Sequence, residues 1–218
     1  MSGRPSKKED AKRPSTEEKY STKQERILRA AIGVLAERGF HRTTIHDIAQ
    51  AAGVADGTIY LYFKNKDQLL IELFEEVMAR ALRLFRDALQ DEQAAEGKLR
   101  AFLHTHLRLV EHDPEVAQII SVELRQSSIF IKEYKNPLFG EYLKIIGEIL
   151  QEGIEEGVFR SDLRPSLITR AIFGAMDEIS LAWLLSRRDL SLEESAEALC
   201  EMILQGVRRC PVSAPSGA

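Results

Sequence analysis

From residue 21 onward, almost every segment of the sequence carries the start and stop signals of a helix. Apolar residues recur three and four positions apart, and the runs open on a capping residue or a proline. Glycines such as Gly39, Gly53 and Gly157 then follow the runs. No convincing alternation of apolar and polar residues indicates a strand. The pattern therefore predicts an all-α fold of about nine helices.

The predicted helix boundaries follow from these signals. Thr22 and Glu25 form a capping box before the first apolar stripe, and Ser191 and Glu194 form another before the last one. In chain order, the predictions are helices at about 22–38, 43–53, 56–63, 66–90 and 165–186, with further starts at 113–114, 136–137 and 191.

The composition is typical of a soluble globular protein. Of the 218 residues, 44% are hydrophobic and 29% are charged. No apolar run approaches the roughly 18 residues of a membrane helix, and the N-terminal residues lack the apolar core of a secretory signal. A cytoplasmic location without membrane contact is therefore expected. Cys200 and Cys210 have no CxxC spacing and are interpreted as free thiols.

Composition and charge divide the chain into segments. Residues 1–20 and 211–218 are predicted to be a disordered arm and tail around a small helical domain at 21–66 and a larger one at 67–210. Residues 1–66 carry 13 Lys/Arg and 8 Asp/Glu, whereas the remaining residues carry 17 and 26. A basic segment before an acidic remainder favours contact with a polyanion in the first segment. Chance clustering on solvated helices explains the same charges.

The end of the second predicted helix has the composition of a tight turn. Ala49 is small enough for two helices to cross closely, and Gly53 tolerates the positive φ that ends a helix sharply. Ile48, Val54 and Ile59 are predicted to be buried between the helices. With the first helix behind them, they form a helix-turn-helix, which presents one short helix to the major groove of DNA.

The third predicted helix carries the candidate DNA contacts. Ile59 and Phe63 are four residues apart and are expected to face inward. Hydroxyl groups can donate to phosphate oxygens, lysines can neutralise them, and a glycine permits close approach of the backbone. The residues expected on the outer surface are Asp56, Gly57, Thr58, Tyr60, Tyr62, Lys64 and Lys66.

Alternatives remain open for this surface. Asp56 either accepts a hydrogen bond from a cytosine amino group or serves only as a first-turn charge that the helix dipole stabilises. Tyr60 and Tyr62 either contact DNA or pack on the first helix.

Residues 43–70, TTIHDIAQAAGVADGTIYLYFKNKDQLL, resemble the TetR family of transcriptional regulators. A threonine pair, AxxAGV, GTxYxxF and KNK occur in the order and spacing of that family. The resemblance implies an all-α homodimer that binds palindromic double-stranded operator DNA. It adds Thr43 and Thr44 to the candidate DNA contacts, together with His46, which stands where the family often has an arginine that reads a base.

The helix at 165–186 and the last helix are candidates for the dimer interface. The former mixes small residues such as Ala171 and Gly174 with large apolar ones. In the family, these two helices pair with their copies as a four-helix bundle, so the resemblance implies a homodimer. An intrachain core face explains part of the same pattern.

Polar residues interrupt two apolar stretches of the larger domain, at 123–126 and at 177–178. Buried charges must be paired, so one interpretation is a structural ion-pair network. The other is that Arg125 and its neighbours recognise an anionic ligand. The sequence leaves both open.

Three stretches, at 53–66, 122–127 and 172–178, are similar to a group of TetR regulators that repress β-oxidation genes. Regulators of that group are released from DNA by long-chain acyl-CoA, so the resemblance implies this effector. Such a ligand needs an apolar tunnel and cations, for which Arg100, Arg108, Lys132 and Lys135 join Arg125 as candidates. The candidate ligand-binding residues are Phe102, Leu103, Leu107, Arg125, Gln126, Phe130, Phe139, Asp177 and Trp183.

Other classes of function are less favoured by the sequence. The chain has no GxSxG, no HExxH and no Cys–His pairing, so a helical enzyme acting on acyl-CoA is disfavoured. His104, His106 and His112 show no metal-ligand spacing, and no cofactor is expected. A repressor that responds to another hydrophobic molecule, such as a drug, remains the alternative.

Overall fold

The computed structural model describes residues 16–126, 134–186 and 190–209, without side-chain detail for 16–22, 125 and 126. These residues form nine α-helices and one 3₁₀ turn, with a single isolated β-bridge in place of any strand. The helices are α1 (Thr16–Arg38), α2 (Ile45–Ala52), α3 (Asp56–Ile59), α4 (Lys66–Gln90), α5 (Ala95–His112), α6 (Pro114–Ser121), α7 (Pro137–Glu155), α8 (Pro165–Leu185) and α9 (Leu192–Val207). The 3₁₀ turn, Glu123–Gln126, follows α6.

Local capping confirms several predicted boundaries. Asp113 and Asn136 accept hydrogen bonds from backbone N–H groups three residues further on, and each precedes a proline at the start of its helix. Ser191 caps α9 in the same way. Gly157, with φ of +75°, follows the end of α7. These contacts span at most a few residues, which is why the sequence reveals them.

Three boundaries differ from the predictions. Helix α1 begins at Thr16, so the predicted disordered arm is wrong for 16–20, where charged residues with good helix propensity extend the helix without an apolar stripe. Helix α3 ends at Ile59 rather than near Phe63. The segment 123–126 is a 3₁₀ turn rather than part of a helix. The rest of the predicted arm, at 1–15, and the predicted tail lie outside the described residues.

The N-terminal domain is closed by an apolar core between α1, α2 and α3. Ile48, Ile59 and Phe63 are fully buried, which confirms their predicted inward orientation. Ile27 and Leu35 of α1 are also fully buried and close the core behind α2 and α3. Burial of these side chains removes apolar surface from water and fixes the position of α3 on the domain.

The larger domain packs α5 at its centre, against α4, α7 and α9. Aromatic rings fill the space between these helices, with Phe85 stacked on Phe102 at 4.4 Å between ring centroids and Tyr142 in edge contact with Phe85. On the surface of the same layer, Arg100 donates to Glu197 and Glu201 of α9. Among the described residues, no helix has the length and apolar character required to cross a membrane.

Candidate nucleic-acid interface and ligand cavity

Local interactions at both ends of α2 determine where the helix begins and where the turn to α3 follows. The Thr44 hydroxyl accepts a hydrogen bond from the backbone N–H of Asp47, while the Asp47 carboxylate accepts from the backbone N–H of Thr44 at 2.8 Å. At the other end of α2, Gly53 adopts φ of +63°, which reverses the chain at no steric cost. The chain therefore enters α3 only three residues after α2 ends.

The outer side of α3 and the turn after it is open to solvent. Tyr60 is 57% exposed and Leu61 is 77% exposed. Asp56, Gly57 and Lys64 are exposed as well, and nothing lies within 4 Å of the position that a Cβ on Gly57 would take. Thr58 and Tyr62 are half-buried, with Tyr62 packed on the core. Most candidate residues of α3 and the turn after it are therefore accessible to solvent, whereas Tyr62 is partly buried against the apolar core.

Two of the candidate DNA contacts have structural roles instead. Thr43 is 1% exposed, and its hydroxyl donates to the carbonyl of Gly39 at 2.8 Å, so the prediction of a DNA contact by this side chain is wrong. Lys66 donates from Nζ to the carbonyls of Phe40 and Thr43 and lies 4.3 Å from the centre of the Phe40 ring. Desolvation lowers the pKa of Lys66. Lys66 therefore holds α4 to the α1–α2 loop through its ammonium group, the group for which a phosphate contact was predicted.

His46 and Asp56 face each other across the turn. Nδ1 of His46 lies 3.1 Å from each carboxylate oxygen of Asp56. At the next position of α2, Arg38 pairs with Asp47 at 2.7 Å, and the hydrogen bonds from Thr44 followed by the Arg38 charge lower the pKa of Asp47. Sequence reasoning treated His46 and Asp56 separately because their pairing depends on how α3 is turned relative to α2.

A buried contact joins the N-terminal domain to the larger domain. Glu123, which is 5% exposed, accepts a hydrogen bond from the backbone N–H of Phe40 at 2.6 Å. One turn earlier, Gln118 donates to the carbonyl of Ala36 at 3.1 Å. The segment comprising α6 and the 3₁₀ turn is therefore tied to the C-terminal end of α1. Of the two polar insertions found in the sequence, the one at 123–126 thus serves a structural contact through its first residue.

An apolar cavity of about 360 Å³ lies between α4, α5, α6, α7 and α8. Aliphatic and aromatic side chains form most of its wall, and the polar groups on it are few. The residues that matter for its chemistry are Phe74, Phe85, His106, Phe139, Tyr142, Phe173 and Asp177. A concave apolar space with a few polar groups is the usual form of a small-molecule site.

Two polar groups of the cavity wall, Tyr142 and His106, are hydrogen-bonded to each other, and His106 is bonded in turn to Ser180 behind the wall. The Tyr142 hydroxyl lies 2.9 Å from Nδ1 of His106, and the Ser180 hydroxyl lies 3.4 Å from Nε2. Ser180 donates its own proton to the carbonyl of Met176 at 2.7 Å. Ser180 therefore accepts from Nε2–H, and Tyr142 donates to Nδ1 of a neutral ring. Burial lowers the pKa of His106 to about 4 and raises that of Tyr142, so both groups stay uncharged at neutral pH.

The structure separates the candidate ligand-binding residues into three sets. Phe139 and Asp177 line the cavity. Phe102 and Leu103 are buried in the main packed core, and Leu107 and Trp183 lie in a second apolar cluster, so these four side chains are not part of the wall of this cavity. Phe130 and the side chains of Arg125 and Gln126 lie outside the described part of the structure.

Arg100 is also unavailable as the cation for a phosphate, because its guanidinium is engaged by Glu197 and Glu201. Sequence reasoning missed Phe85, His106 and Tyr142 on the cavity wall. Apolar spacing identifies the buried face of a helix but does not distinguish a side chain that faces a cavity from one that faces a neighbour.

A second cavity of about 350 Å³ lies between α1, α4 and α5. Four side chains belong to the walls of both cavities, namely Val77, Ala81, Leu109 and Val116. The charged side chains that line the second cavity are Arg29 of α1, Arg80 of α4, Glu25, Glu76 and Asp113. Within the described residues, neither arginine forms an ion pair.

Both domains of the chain are similar to known protein families. Residues 27–73 match the bacterial regulatory proteins of the tetR family, and residues 74–206 match the C-terminal region of the YsiA-like proteins. The fatty acid metabolism regulator protein of Bacillus subtilis is 35% identical over 181 residues, which cover 83% of this chain and 93% of that protein. The repressor KstR2 of Mycolicibacterium smegmatis is 26% identical over 195 residues, covering 89% and 95%.

A solved structure resembles the whole fold. The transcriptional regulator FadR from Bacillus subtilis, crystallised in complex with stearoyl-CoA, superposes with a TM-score of 0.79 at 35% identity and covers 84% of this chain and 99% of that one. These relatives are all described as regulators or repressors, which supports a regulatory rather than an enzymatic role. The chain belongs to the TetR family of bacterial transcriptional regulators.

Proposed function

We propose that the chain is a homodimeric repressor that binds palindromic operator DNA, is released by long-chain acyl-CoA and thereby controls genes of fatty acid degradation. The observation that carries the proposal is the apolar cavity in a domain that resembles a regulator crystallised with stearoyl-CoA. The fatty acid metabolism regulator of Bacillus subtilis, at 35% identity, supports the same physiological role.

The cavity suits an aliphatic chain better than a polar ligand. Its volume of about 360 Å³ lies in the range of small-molecule sites. Phe74, Phe85 and Phe173 supply apolar wall, and each methylene group buried against them gains about 0.8 kcal/mol. The neutral Tyr142–His106 pair adds no charge that a hydrocarbon would have to desolvate.

The second cavity supplies a place for the phosphorylated end of such a ligand. Its wall is shared with the first cavity through Val77 and Leu109, and the proposal requires these side chains to rotate so that the two spaces connect. Arg29 and Arg80 then provide guanidinium groups for phosphate oxygens, against the repulsion of the Glu25, Glu76 and Asp113 carboxylates on the same wall. In this arrangement, the acyl chain occupies the first cavity and the nucleotide end lies beside α1.

The DNA-facing surface is formed by α3 and the start of α2. Tyr60 is exposed and carries a hydroxyl group that donates to phosphate oxygens, and Lys64 neutralises a phosphate. Thr44 is exposed as well, but its hydroxyl donates to the Asp47 carboxylate at 2.6 Å and must turn away from Asp47 to donate to a phosphate. Leu61 is the most exposed large apolar side chain of the described residues and adds a contact for a thymine methyl group or a sugar.

The exposed apolar side chains of α8 and α9 support a homodimer. Leu167 and Met202 are each 62% exposed, and Leu185 is 73% exposed. A second copy of the chain that covers these residues removes their apolar surface from water. Two α3 helices related by a two-fold axis then meet two half-sites, which accounts for a palindromic operator.

The link between ligand and DNA is proposed to run through α6 and the 3₁₀ turn. Ile120 and Leu124 line the cavity, whereas Glu123 between them holds the backbone of Phe40. A ligand that favours a displaced position of this segment also favours a displaced position of α1. The cavity and the DNA-binding surface then both depend on the position of the α6–3₁₀ segment. Ligand binding, which favours the displaced position, therefore lowers operator affinity.

Fluorescence anisotropy tests the proposal with a labelled duplex, selected by the protein itself from a random pool. Stearoyl-CoA at micromolar concentration is expected to release the duplex, whereas coenzyme A alone is not. An apolar drug that releases the duplex while stearoyl-CoA does not would contradict the effector and favour the drug-responsive alternative. Light scattering of the free protein tests the dimer, and unchanged acyl-CoA after incubation tests the absence of turnover.

A further inference from the structure

His46 and Asp56 form an ion pair whose position suits recognition rather than folding. Nδ1 of His46 is 3.1 Å from both oxygens of Asp56, and the two side chains are 71% and 50% exposed. An exposed pair of this kind contributes little to stability. It lies at the start of α2 and the start of α3, on the side of the domain that carries the accessible α3 residues.

The pairing determines which nitrogen of His46 remains for an external partner. A carboxylate only accepts hydrogen bonds, so Nδ1 carries a proton and donates it to Asp56. Nε2 is then left without a partner in the described residues. In the neutral ring, Nε2 is an acceptor, whereas in the imidazolium form it is a donor.

Other charged groups around α2 are engaged elsewhere. Asp47 on the same helix pairs with Arg38 of α1 at 2.7 Å. In the preceding loop, Arg42 donates to the backbone carbonyl of Arg38, and Lys66 of α4 donates to loop carbonyls. Among the described residues, Asp56 is thus the charged group that the fold brings within ion-pair distance of His46.

We infer that His46, held by Asp56, donates from Nε2 to an acceptor on operator DNA, so that operator binding takes up a proton at His46. This inference rests on the DNA-binding part of the proposed function. N7 and O6 of guanine in the major groove and the phosphate oxygens are acceptors of the required kind. The imidazolium also offsets the negative charge of Asp56, which otherwise repels the DNA backbone.

The sign of the resulting pH dependence follows from proton linkage. Because the bound state holds the proton more tightly than the free state, affinity is highest where histidine is protonated and falls as the pH rises. Each of the two heads of a dimer contributes at most one proton. Between pH 6 and pH 8, a loss of affinity of about tenfold is expected.

Operator binding by four proteins provides the test, at pH 6, 7 and 8 and constant ionic strength. These are the wild type, His46→Gln, Asp56→Asn and His41→Gln, and the probe is the duplex that the wild type selects from a random pool. His46→Gln is expected to lose the pH dependence by losing affinity at pH 6. Asp56→Asn is expected to gain affinity at pH 8. His41, an exposed histidine of the same domain, serves as the control, so its variant should retain the wild-type profile.

The outcomes distinguish this inference from the proposed function. A wild-type affinity that is constant from pH 6 to pH 8, or a His46→Gln variant with the full pH dependence, overturns the role of His46 alone. Failure to bind any duplex at any pH overturns both. A repeated selection with His46→Gln at pH 6 identifies the acceptor, since loss of a guanine preference indicates a base contact and an unchanged consensus indicates a phosphate.

Discussion

The carboxylate of Glu123 accepts a hydrogen bond from the backbone N–H of Phe40 at 2.6 Å, although the two residues lie 83 positions apart. The carbonyl of Phe40 in turn accepts from Nζ of Lys66. The loop between α1 and α2 is therefore held on one side by the 3₁₀ turn after α6 and on the other by α4. Glu123 is thus in direct contact with the backbone that leads into α2, which makes it a specific test of the proposed coupling route.

Replacement of Glu123 by alanine is expected to uncouple ligand binding from DNA release. The buried N–H of Phe40 loses its acceptor, which costs about 1–3 kcal/mol of stability. Operator affinity without ligand should change little, whereas the stearoyl-CoA concentration for half-release should rise. Titration of the protein–duplex complex with ligand measures this midpoint.

Two variants control for this experiment. Glu123→Gln retains an acceptor oxygen and should lie between the wild type and the alanine variant. Glu115 on the exposed side of α6 is not part of the contact, so Glu115→Ala should behave as the wild type. A Glu123→Ala protein with the wild-type release midpoint would remove this contact from the coupling route.

Lys64 and Lys66 are expected to respond differently to the same substitution. Lys64 is exposed, so Lys64→Met should weaken DNA binding and reduce the salt slope by about one unit without loss of stability. Lys66→Met removes two hydrogen bonds to carbonyls and should lower the free energy of unfolding by about 1–3 kcal/mol. Binding at several salt concentrations and urea unfolding measure the two effects, and equal stability of both variants would refute the structural role of Lys66.

Filling the cavity should block the effector. Ala117 lies on α6 and lines the cavity, so Ala117→Phe places a ring where the acyl chain is proposed to lie. The midpoint for release by stearoyl-CoA should rise at least tenfold, on the order of 1.4 kcal/mol or more, while operator affinity is retained.

Leu103 provides the matched control for the cavity. It is fully buried but packs in the core, so Leu103→Ala should cost about 2–5 kcal/mol of stability and leave the release midpoint unchanged. If Leu103→Ala shifts the midpoint as strongly as Ala117→Phe, the ligand does not occupy this cavity.

His106 should make the protein less stable in acid. Burial lowers its pKa to about 4 from 6.5, so between these values the unfolded chain binds a proton that the folded protein excludes. Stability therefore falls as the pH decreases from about 6.5 to about 4, by at most about 3 kcal/mol from this group. Urea unfolding at pH 7 and pH 5, at fixed protein concentration, measures the effect.

His106→Gln should reduce this acid sensitivity, and His112→Gln, which alters an exposed histidine, should preserve it. Equal acid sensitivity in the wild type and His106→Gln would show that another group is responsible.

Local interactions explain what the sequence by itself determined. The limits of α4, the caps at Asn136 and Ser191 and the reversal at Gly53 depend on contacts within about four residues. The inward orientation of Ile59 and Phe63 follows from their spacing on one helical face. The order of these signals along residues 43–70 was sufficient to identify the helix-turn-helix domain and the family.

Only the tertiary structure decided how neighbouring residues of the same type are used. Thr43 and Thr44 are adjacent and chemically identical, yet the first is buried against Gly39 and the second is exposed at the start of α2. Two phenylalanines on different helices also differ, since Phe102 is buried in the core whereas Phe139 lines the cavity. Whether a side chain is buried, exposed or faces a cavity depends on segments distant in sequence that pack against it. The local sequence pattern does not specify which segments these are.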